Sequence, residues 1–375
     1  MRYRHPAMGL AAITLLASTS AFANQINTGG EKGAYHGSFC PRLEAQLTKS
    51  RFKHKCTVSA GSLENMERVE RDPRQLGYAQ FDVFRLRALG AGKPTLQIVR
   101  SDDVRECVFA VSRNKELGTF GEISAYAPKL RFILPPEASG SAATFRFLQR
   151  IDAQGLGTTK RITYAKSTED AIRQALANDD AVTFFVQFPD PDNALFKLVT
   201  QLGGHFVPVI DRAILREQVD GKKVYFAQET QVTNAKWVKT GTKVVTACTP
   251  LVLFTGLTEA ISGDAAKKDH RDLIATIQSL KAADLAPSQS WFSRLIKRTR
   301  ELSGQSAERM IELSEKARER ARPYVEKAKD AGSKAIEAAK PALEKAKEMG
   351  SKALEKAKEG AKGLIERKEG EPQPK

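Results

Sequence analysis

Three strand–loop–helix segments follow one another between Gln25 and Asp82, and they limit the folds open to this chain. Each segment has a short apolar strand, a loop of Gly, Ser or other small polar residues, and then the start of a helix or turn. Units of this kind predict a parallel sheet whose loops gather at one edge, where open α/β folds bind ligands. The loops are Ile26–Tyr35, Ser59–Asn65 and Gly77–Val83.

Apolar periodicity predicts further elements after these segments. Gln80 and Asp82 are expected at the exposed end of a strand, facing a ligand, with helix capping as the alternative. A helix over Ser38 to Ser50 places Phe39, Leu43 and Leu47 on one face. The next helix should begin with Ser59 or Ser62 as its N-cap. Later strands are predicted over Thr95–Arg100, Cys107–Ser112, Leu130–Leu134, Ala181–Val186, Phe206–Ile210 and Val244–Thr255, and helices over Ala142–Gln154, Ser167–Asn178 and Asp269–Leu280.

Four motifs support a resemblance that extends to about Gly256. They are Gly29-Gly30-x-x-Gly33-x-Tyr35, Ser59-x-Gly61-Ser62-x-Glu64-Asn65, Gly77-x-x-Gln80-x-Asp82-Val83, and the turn Ser139-Gly140-Ser141. In order and spacing they resemble the TAXI-type solute-binding receptors of TRAP transporters, which are two-lobed periplasmic binding proteins. The chain departs from that pattern at Gln187-Phe188-Pro189, where relatives often have a glycine followed by a proline, so the ligand's identity stays open.

The resemblance implies an α/β fold with two lobes, two crossing hinge strands and a helical, repeat-like tail outside the resemblance. The expected boundaries are a signal peptide over 1–23, the first lobe over 24–111, the second over 112–212, a return to the first lobe with a closing helix over 213–287, and the tail over 288–375.

By the same resemblance, the protein captures a small organic anion of the amino-acid or dicarboxylate class and delivers it to membrane transporter subunits. The alternatives are local: a tight turn for the glycines, and an ordinary N-cap for the serines before Ala142. The implied ligand residues are Gly30, Gly33, Tyr35, Ser59, Ser62, Asn65, Gln80 and Asp82 on one wall, Ser139, Gly140, Ser141, Thr144 and Gln187 on the other, and Thr246 in the return segment.

The first 23 residues predict secretion. Arg2 and Arg4 precede a short apolar run, and Ala21-Phe22-Ala23 is typical of a cleavage site, so a mature periplasmic chain is expected to begin at Asn24. Four cysteines in a secreted chain predict two disulfides, with three possible connectivities. We expect Cys40–Cys56, because a helix packs on the next strand, and Cys107–Cys248 between apolar strands. Buried free thiols are the alternative.

The net charge of +16 does not indicate nucleic-acid binding, because no Lys/Arg cluster is interleaved with aromatic residues in the globular part. The tail from Ser288 holds 22 Lys and Arg against 15 Asp and Glu, a net +7. Its repeats begin at Glu326, Glu344 and Glu355 and place a narrow apolar face among Lys and Glu. Three interpretations remain: a spacer or disordered chain, a contact with membrane or envelope, or self-association.

An enzyme is not expected. His36 and Cys40 share a helical spacing that can suit a metal or a nucleophile–base pair, but no CxxC or HExxH pattern accompanies them. No Walker loop is present, and the first glycine loop is not a dinucleotide fingerprint. We therefore expect no cofactor and no metal. The alternative to a receptor is a non-catalytic envelope-interaction protein on a receptor scaffold, with the amphipathic tail contacting membrane or a partner.

Overall fold

The computed structural model describes residues 24–31, 33–90, 92–219, 221–234, 240–285, 299–323, 337 and 340–341. The predicted signal peptide and nearly all of the repeats lie outside these residues. The described chain forms two compact units. The first holds the residues up to Glu106, Ala138–Ala143, and those from Thr249 to 285. The second holds Cys107–Glu137, Thr144–Cys248, and 299–323.

Thirteen strands and eleven helices occur among the described residues. The strands are β1 (Asn24–Asn27), β2 (His54–Thr57), β3 (Leu76–Gln80), β4 (Leu96–Ser112), β5 (Arg131–Leu134), β6 (Ile162–Tyr164), β7 (Ala181–Gln187), β8 (His205–Val207), β9 (Gln218–Val219), β10 (Lys222–Lys223), β11 (Phe226–Gln231), β12 (Lys243–Gly256) and β13 (Thr299–Glu301). The helices are α1 (Cys40–Lys49), α2 (Ser62–Arg71), α3 (Phe81–Gly90), α4 (Phe120–Tyr126), α5 (Gly140–Ile151), α6 (Thr168–Leu176), α7 (Ala194–Gln201), α8 (Arg212–Arg216), α9 (Asp264–Ser279), α10 (Ala282–Leu285) and α11 (304–323).

The first unit contains the predicted parallel sheet. β1 lies between β2 and β3 and runs parallel to both, so the three strands end at the same edge. A π-helical turn at Tyr35–Phe39 leads into α1, and the predicted apolar face of Phe39, Leu43 and Leu47 is buried. The strand–loop–helix prediction is therefore confirmed for this unit.

Two long strands contribute residues to both units, which confirms the two crossing strands of the predicted α/β fold. β4 and β12 pair antiparallel from Leu96–Gly256 to Glu106–Thr249. Beyond that point β4 pairs with β7 and β8, and β12 pairs with β11. The separate strands predicted at Thr95–Arg100 and Cys107–Ser112 are one continuous strand, with a register shift in its pairing to β12 between Ser101 and Arg105.

The second unit has a sheet in which β5 lies between β6 and β7. Aromatic rings fill its core, and Phe109 contacts Phe185 and Phe196 at centroid distances of 5.6 and 4.7 Å. α6 begins after its N-cap Ser167, whose hydroxyl accepts a hydrogen bond from the Asp170 amide. The four apolar residues predicted to face inward on that helix are buried: Ala171, Ile172, Ala175 and Leu176.

Both predicted disulfides are present. Cys40 on α1 is bonded to Cys56 on β2, and Cys107 on β4 is bonded to Cys248 on β12. None of these four cysteines is a free thiol, so the buried-thiol alternative is wrong for them. Among the described residues, no helix has the length and apolar character needed to cross a membrane.

Residues 299–323, at the start of the predicted tail, pack within the second unit. β13 pairs antiparallel with β11, although β12 was expected to be the last strand. α11 buries Ile311, Ser314, Ala317 and Ala321 at helical spacing. The composition of the tail hides this face, because three of its four residues are small and the surrounding positions are Lys, Arg and Glu.

This packing predicts that residues 299–323 stabilise the second unit, and that a chain ending at 323 keeps their contribution. A chain ending at 298 should melt at least roughly 5 °C lower, because it loses a strand pairing and the buried face of α11. Thermal unfolding followed by circular dichroism measures the difference. Equal melting temperatures for the two truncated chains would contradict the packing.

Candidate functional site

The carboxyl ends of β1, β2 and β3 meet in the first unit, and one buried amide ties their loops together. Asn65 Nδ2 donates hydrogen bonds to the carbonyl oxygens of Thr28 at 2.7 Å and Tyr78 at 2.8 Å. Asn65 Oδ1 accepts from the Ser59 hydroxyl at 2.5 Å. The predicted residues Ser59 and Asn65 are therefore brought together, and they satisfy each other.

The start of α2 differs from the prediction. Its N-cap is Gly61, at φ 138°, and no side chain caps the helix, so an N-cap at Ser59 or Ser62 is wrong. A side chain at this position would be strained by the backbone conformation. It would also come within 3.1 Å of the Ser139 Cα atom. Glycine thus allows the loop of the second motif to approach the turn of the fourth.

The Ser139-Gly140-Ser141 turn lies against Gln80. A Cβ atom on Gly140 would lie 2.3 Å from Gln80 Oε1, so the side chain of Gln80 occupies the space beside the bare glycine. The same oxygen accepts a hydrogen bond from the Ser62 hydroxyl at 2.6 Å. α5 begins at Gly140 rather than at Ala142, and Ser139 Oγ accepts from the Ala142 amide at 3.2 Å. Ser139 therefore has the N-cap hydrogen bond of the alternative interpretation.

A residue that the sequence did not single out, Glu106, completes this group. The Tyr35 hydroxyl donates a hydrogen bond to Glu106 Oε2, and the side chain of Gln80 also contacts the carboxyl. Glu106 is 5% exposed, and neighbouring Asp82 is fully buried. The sequence placed Glu106 between two strands, whereas it lies within β4 opposite Thr249. Its position directly before the apolar run Cys107–Val111 was the available signal.

Burial decides the protonation of Glu106. Burial and the nearby Asp82 together raise the pKa of the carboxyl to about 8, although the hydrogen bonds from Tyr35 and Gln80 lower it. Burial and the same glutamate raise the pKa of Tyr35 well above its usual value. At neutral pH Glu106 is therefore mainly a neutral acid, and a neutral acid can stand beside Asp82 without like-charge repulsion.

Asp82 is held by its own backbone surroundings. Its Oδ1 accepts from the Val83 amide at 2.8 Å, and its amide donates to Thr249 Oγ1 at 3.3 Å. The expected exposed end of β3 is wrong, because Gln80 and Asp82 are both buried where α3 follows the strand directly. We call Tyr35, Ser62, Gln80, Asp82 and Glu106 the polar cluster.

The other predicted ligand residues take separate places. Gly30 and Gly33 form a tight turn in which the Gly33 amide donates to the Gly30 carbonyl at 2.8 Å. This is the tight turn that was the alternative to a ligand-binding loop. Thr144, Gln187 and Thr246 belong to the second unit. Thr246 donates to the Val108 carbonyl, and Gln187 Oε1 accepts from the Phe188 amide at 3.2 Å, so both have local partners.

The residues weighed for catalysis have structural partners. Cys40 is in a disulfide, and His36 Nδ1 lies 3.1 Å from Thr28 Oγ1. Within the described ranges, no group of three or more His, Cys, Asp or Glu side chains is arranged to hold a metal ion.

Comparisons with known proteins give only low similarity. No family model matches the sequence, and no curated protein matches it. A solved periplasmic transporter is 12% identical with a TM-score of 0.38, covering 82% of this chain and 97% of its own. MatC from Rhodopseudomonas palustris with bound malate is 10% identical with a TM-score of 0.40, covering 81% and 98%. The GluR0 ligand-binding core with L-glutamate is 10% identical with a TM-score of 0.38, covering 78% and 99%.

These TM-scores lie below 0.5, so the likenesses support no argument about family or ligand. The two-unit α/β fold rests on the topology described above. The TAXI type stays a prediction.

The raised pKa of Glu106 predicts a specific pH dependence of stability. The folded state holds a proton that the unfolded state releases above its ordinary pKa of 4.5. The contribution is complete below that value and is lost as the pH rises through about 8. Glu106→Gln should flatten this decline by up to about 4 kcal/mol.

Urea unfolding between pH 5 and pH 9 measures this slope. Glu67→Gln, at an exposed position on α2, is the matched control and should keep the wild-type slope. If the curves of Glu106→Gln and wild type run parallel, the buried glutamate is ionised throughout and the assigned pKa is wrong.

Proposed function

We propose that this chain is an extracytoplasmic receptor that binds a small organic solute at the polar cluster and delivers it to membrane transporter subunits. The loop after β2 and the end of β3 meet the first turn of α5, at Gly61 and Gln80, and Asn65 ties the loop after β1 to them. This arrangement is the observation that supports binding. Strand ends of this kind and the free amides of a helix N-terminus are recurrent ligand sites in α/β proteins. The transporter is proposed from the resemblance alone.

The chemistry of the cluster favours binding over catalysis. The hydroxyls of Ser59 and Ser62 donate to amide oxygens, at 2.5 and 2.6 Å, and an amide oxygen is not a base that can take their protons. Neither serine has a histidine or carboxylate partner among its described hydrogen bonds. We therefore propose a receptor without a catalytic function.

Within the expected ligand class, the charges favour an amino acid over a dicarboxylate. The amides that begin α5, with Ser139 and Ser141 beside them, suit one carboxylate. Asp82 on the other side suits an ammonium group and opposes a second carboxylate, and Glu106, a neutral acid at neutral pH, adds a hydrogen-bonding group beside it. A zwitterion satisfies both sides of this arrangement.

We further propose that the protein acts in the periplasm. The two disulfides support an oxidising compartment, since such bonds are rare in the cytosol. Residues 1–23, which the secretion prediction rests on, lie outside the described residues.

One observation favours a second candidate, the envelope-interaction protein on a receptor scaffold. The groups expected to face a ligand are bonded to one another, since Ser59 pairs with Asn65 and Ser62 pairs with Gln80. A ligand would have to exchange these hydrogen bonds for its own. If this exchange of hydrogen bonds is unfavourable, the chain has the receptor fold but does not bind a ligand.

Calorimetry on refolded, ligand-stripped protein distinguishes the two candidates. We expect one amino acid to bind at 1:1 stoichiometry and the dicarboxylates to bind more weakly. Replacing both Ser139 and Ser141 by Ala should weaken binding by roughly tenfold or more, because an N-cap and a hydroxyl contact are lost.

Ser167→Ala is the matched control, because it removes the N-cap of α6 in the second unit and should leave the affinity unchanged. A complete panel of amino acids and dicarboxylates without a binder would favour the envelope-interaction protein.

A further inference from the structure

One guanidinium of α11 lies between two buried carboxylates of the second unit. Arg318 Nη2 donates to Asp211 Oδ2 at 2.7 Å, and Arg318 Nη1 lies 3.8 Å from Asp152 Oδ1. Asp211 is 4% exposed and Asp152 is 7% exposed. They come from different elements, the residue after α5 and the N-cap of α8. Among the described cations, Arg318 of α11 is the one that contacts both carboxylates.

Each carboxylate is also oriented by a backbone amide, independently of the arginine. Asp211 Oδ1 accepts from the Ala213 amide at 2.8 Å, and Asp152 Oδ2 accepts from the Leu156 amide at 3.0 Å. In both residues one oxygen is held by a backbone amide within the next four positions, and the other oxygen faces the guanidinium. Carboxylates fixed in this way form a preorganised site, which lowers the entropy cost of binding.

The surrounding surface fits a helix that brings such an arginine. A Cβ atom on Gly121 would lie 1.9 Å from the Ser314 carbonyl oxygen, so only glycine lets α11 approach α4 this closely. The Gly121 amide donates to Ser314 Oγ at 2.8 Å. The Arg318 guanidinium also lies 6.0 Å from the centroid of the Phe120 ring.

Apolar packing and charge both hold this contact. Ile311 of α11 is buried in a cluster with Ile210 and Ala227. Arg212 at the start of α8 pairs with Glu308 at 2.5 Å and with Glu315 at 2.9 Å. Two buried carboxylates without a cation are strongly unfavourable, so the second unit needs a cation at this place. A cavity of about 450 Å³ adjoins Asp152 and Arg318 and gives access from one side.

We propose that Asp152 and Asp211 form an arginine-recognition site that accepts residues 299–323 of a second copy of this chain in exchange for its own. The groups that fix the segment in its own chain are equally complementary to the identical segment of another chain. Exchange would join two copies through their C-terminal segments. The site thus adds an interaction surface to the second unit, independent of the polar cluster.

A labelled synthetic peptide of residues 299–323 tests this on the full-length protein. Wild type should bind the peptide weakly, because its own α11 competes. Arg318→Gln loosens the resident helix and should raise peptide affinity at least tenfold, as measured by fluorescence anisotropy. A peptide that carries R318Q should not bind. Adding Asp211→Asn to the Arg318→Gln protein should abolish binding of the wild-type peptide.

Two further variants keep the test decisive. Arg320→Gln, on an exposed position of the same helix, is the matched control and should behave as wild type. Arg318→Lys keeps the charge but loses the planar fork, so it should fold and bind peptide at an intermediate level even if Arg318→Gln does not fold. Equal peptide affinity in wild type and both Arg318 variants, or equal affinity for the R318Q peptide, would overturn the proposal.

Discussion

The antiparallel pairing of β4 and β12 is the constraint on which the rest of the structure depends. Every other strand of the large sheet is connected to this pair, either by direct pairing or through the strands that lie between. The Cys107–Cys248 disulfide fastens the two strands at the rung where they take different partners. Its cysteines are 141 positions apart, so the link lowers the entropy of the unfolded chain by about 5 kcal/mol at 25 °C. The Cys40–Cys56 disulfide, with a separation of 16 positions, contributes about 3 kcal/mol in the same way. The longer link therefore stabilises the topology more.

The polar cluster depends on that pairing, because Glu106 and Thr249 face each other on its last rung before the disulfide. Both reach the loops at the ends of the parallel strands, where Tyr35 contacts Glu106 and the Asp82 amide contacts Thr249. A buried carboxyl that stays protonated removes the cost of a second buried charge beside Asp82. The cluster is thus a hydrogen-bonded network in which each polar group has a neighbour, and exchange with a ligand is a competition between similar bonds.

The sequence predicted the parts of the fold that depend on local pattern. Apolar residues at helical spacing located α1 and α6, and the glycine-rich loops located the parallel edge. The burial of Glu106 could not be predicted, because no periodic signal separates it from Asp102 and Asp103 in the same strand, and its partners are 24 or more positions away in the chain. Burial of Gln80 and Asp82 also depends on tertiary contacts. The motifs placed them at a strand end, and only packing by α3 and β12 decides whether that end meets solvent.

Residues 299–323 are a second case in which local sequence pattern did not predict tertiary packing. Their composition resembles that of the repeats that follow, so charge and periodicity assign both to one tail. The structure places residues 299–323 in the second unit, because Gly121 permits close helix contact and two buried carboxylates require Arg318. Neither requirement is visible in the helix itself, since both belong to distant parts of the second unit. A charged helix can therefore be part of a folded unit when its partners supply the opposite charges and the missing side-chain volume.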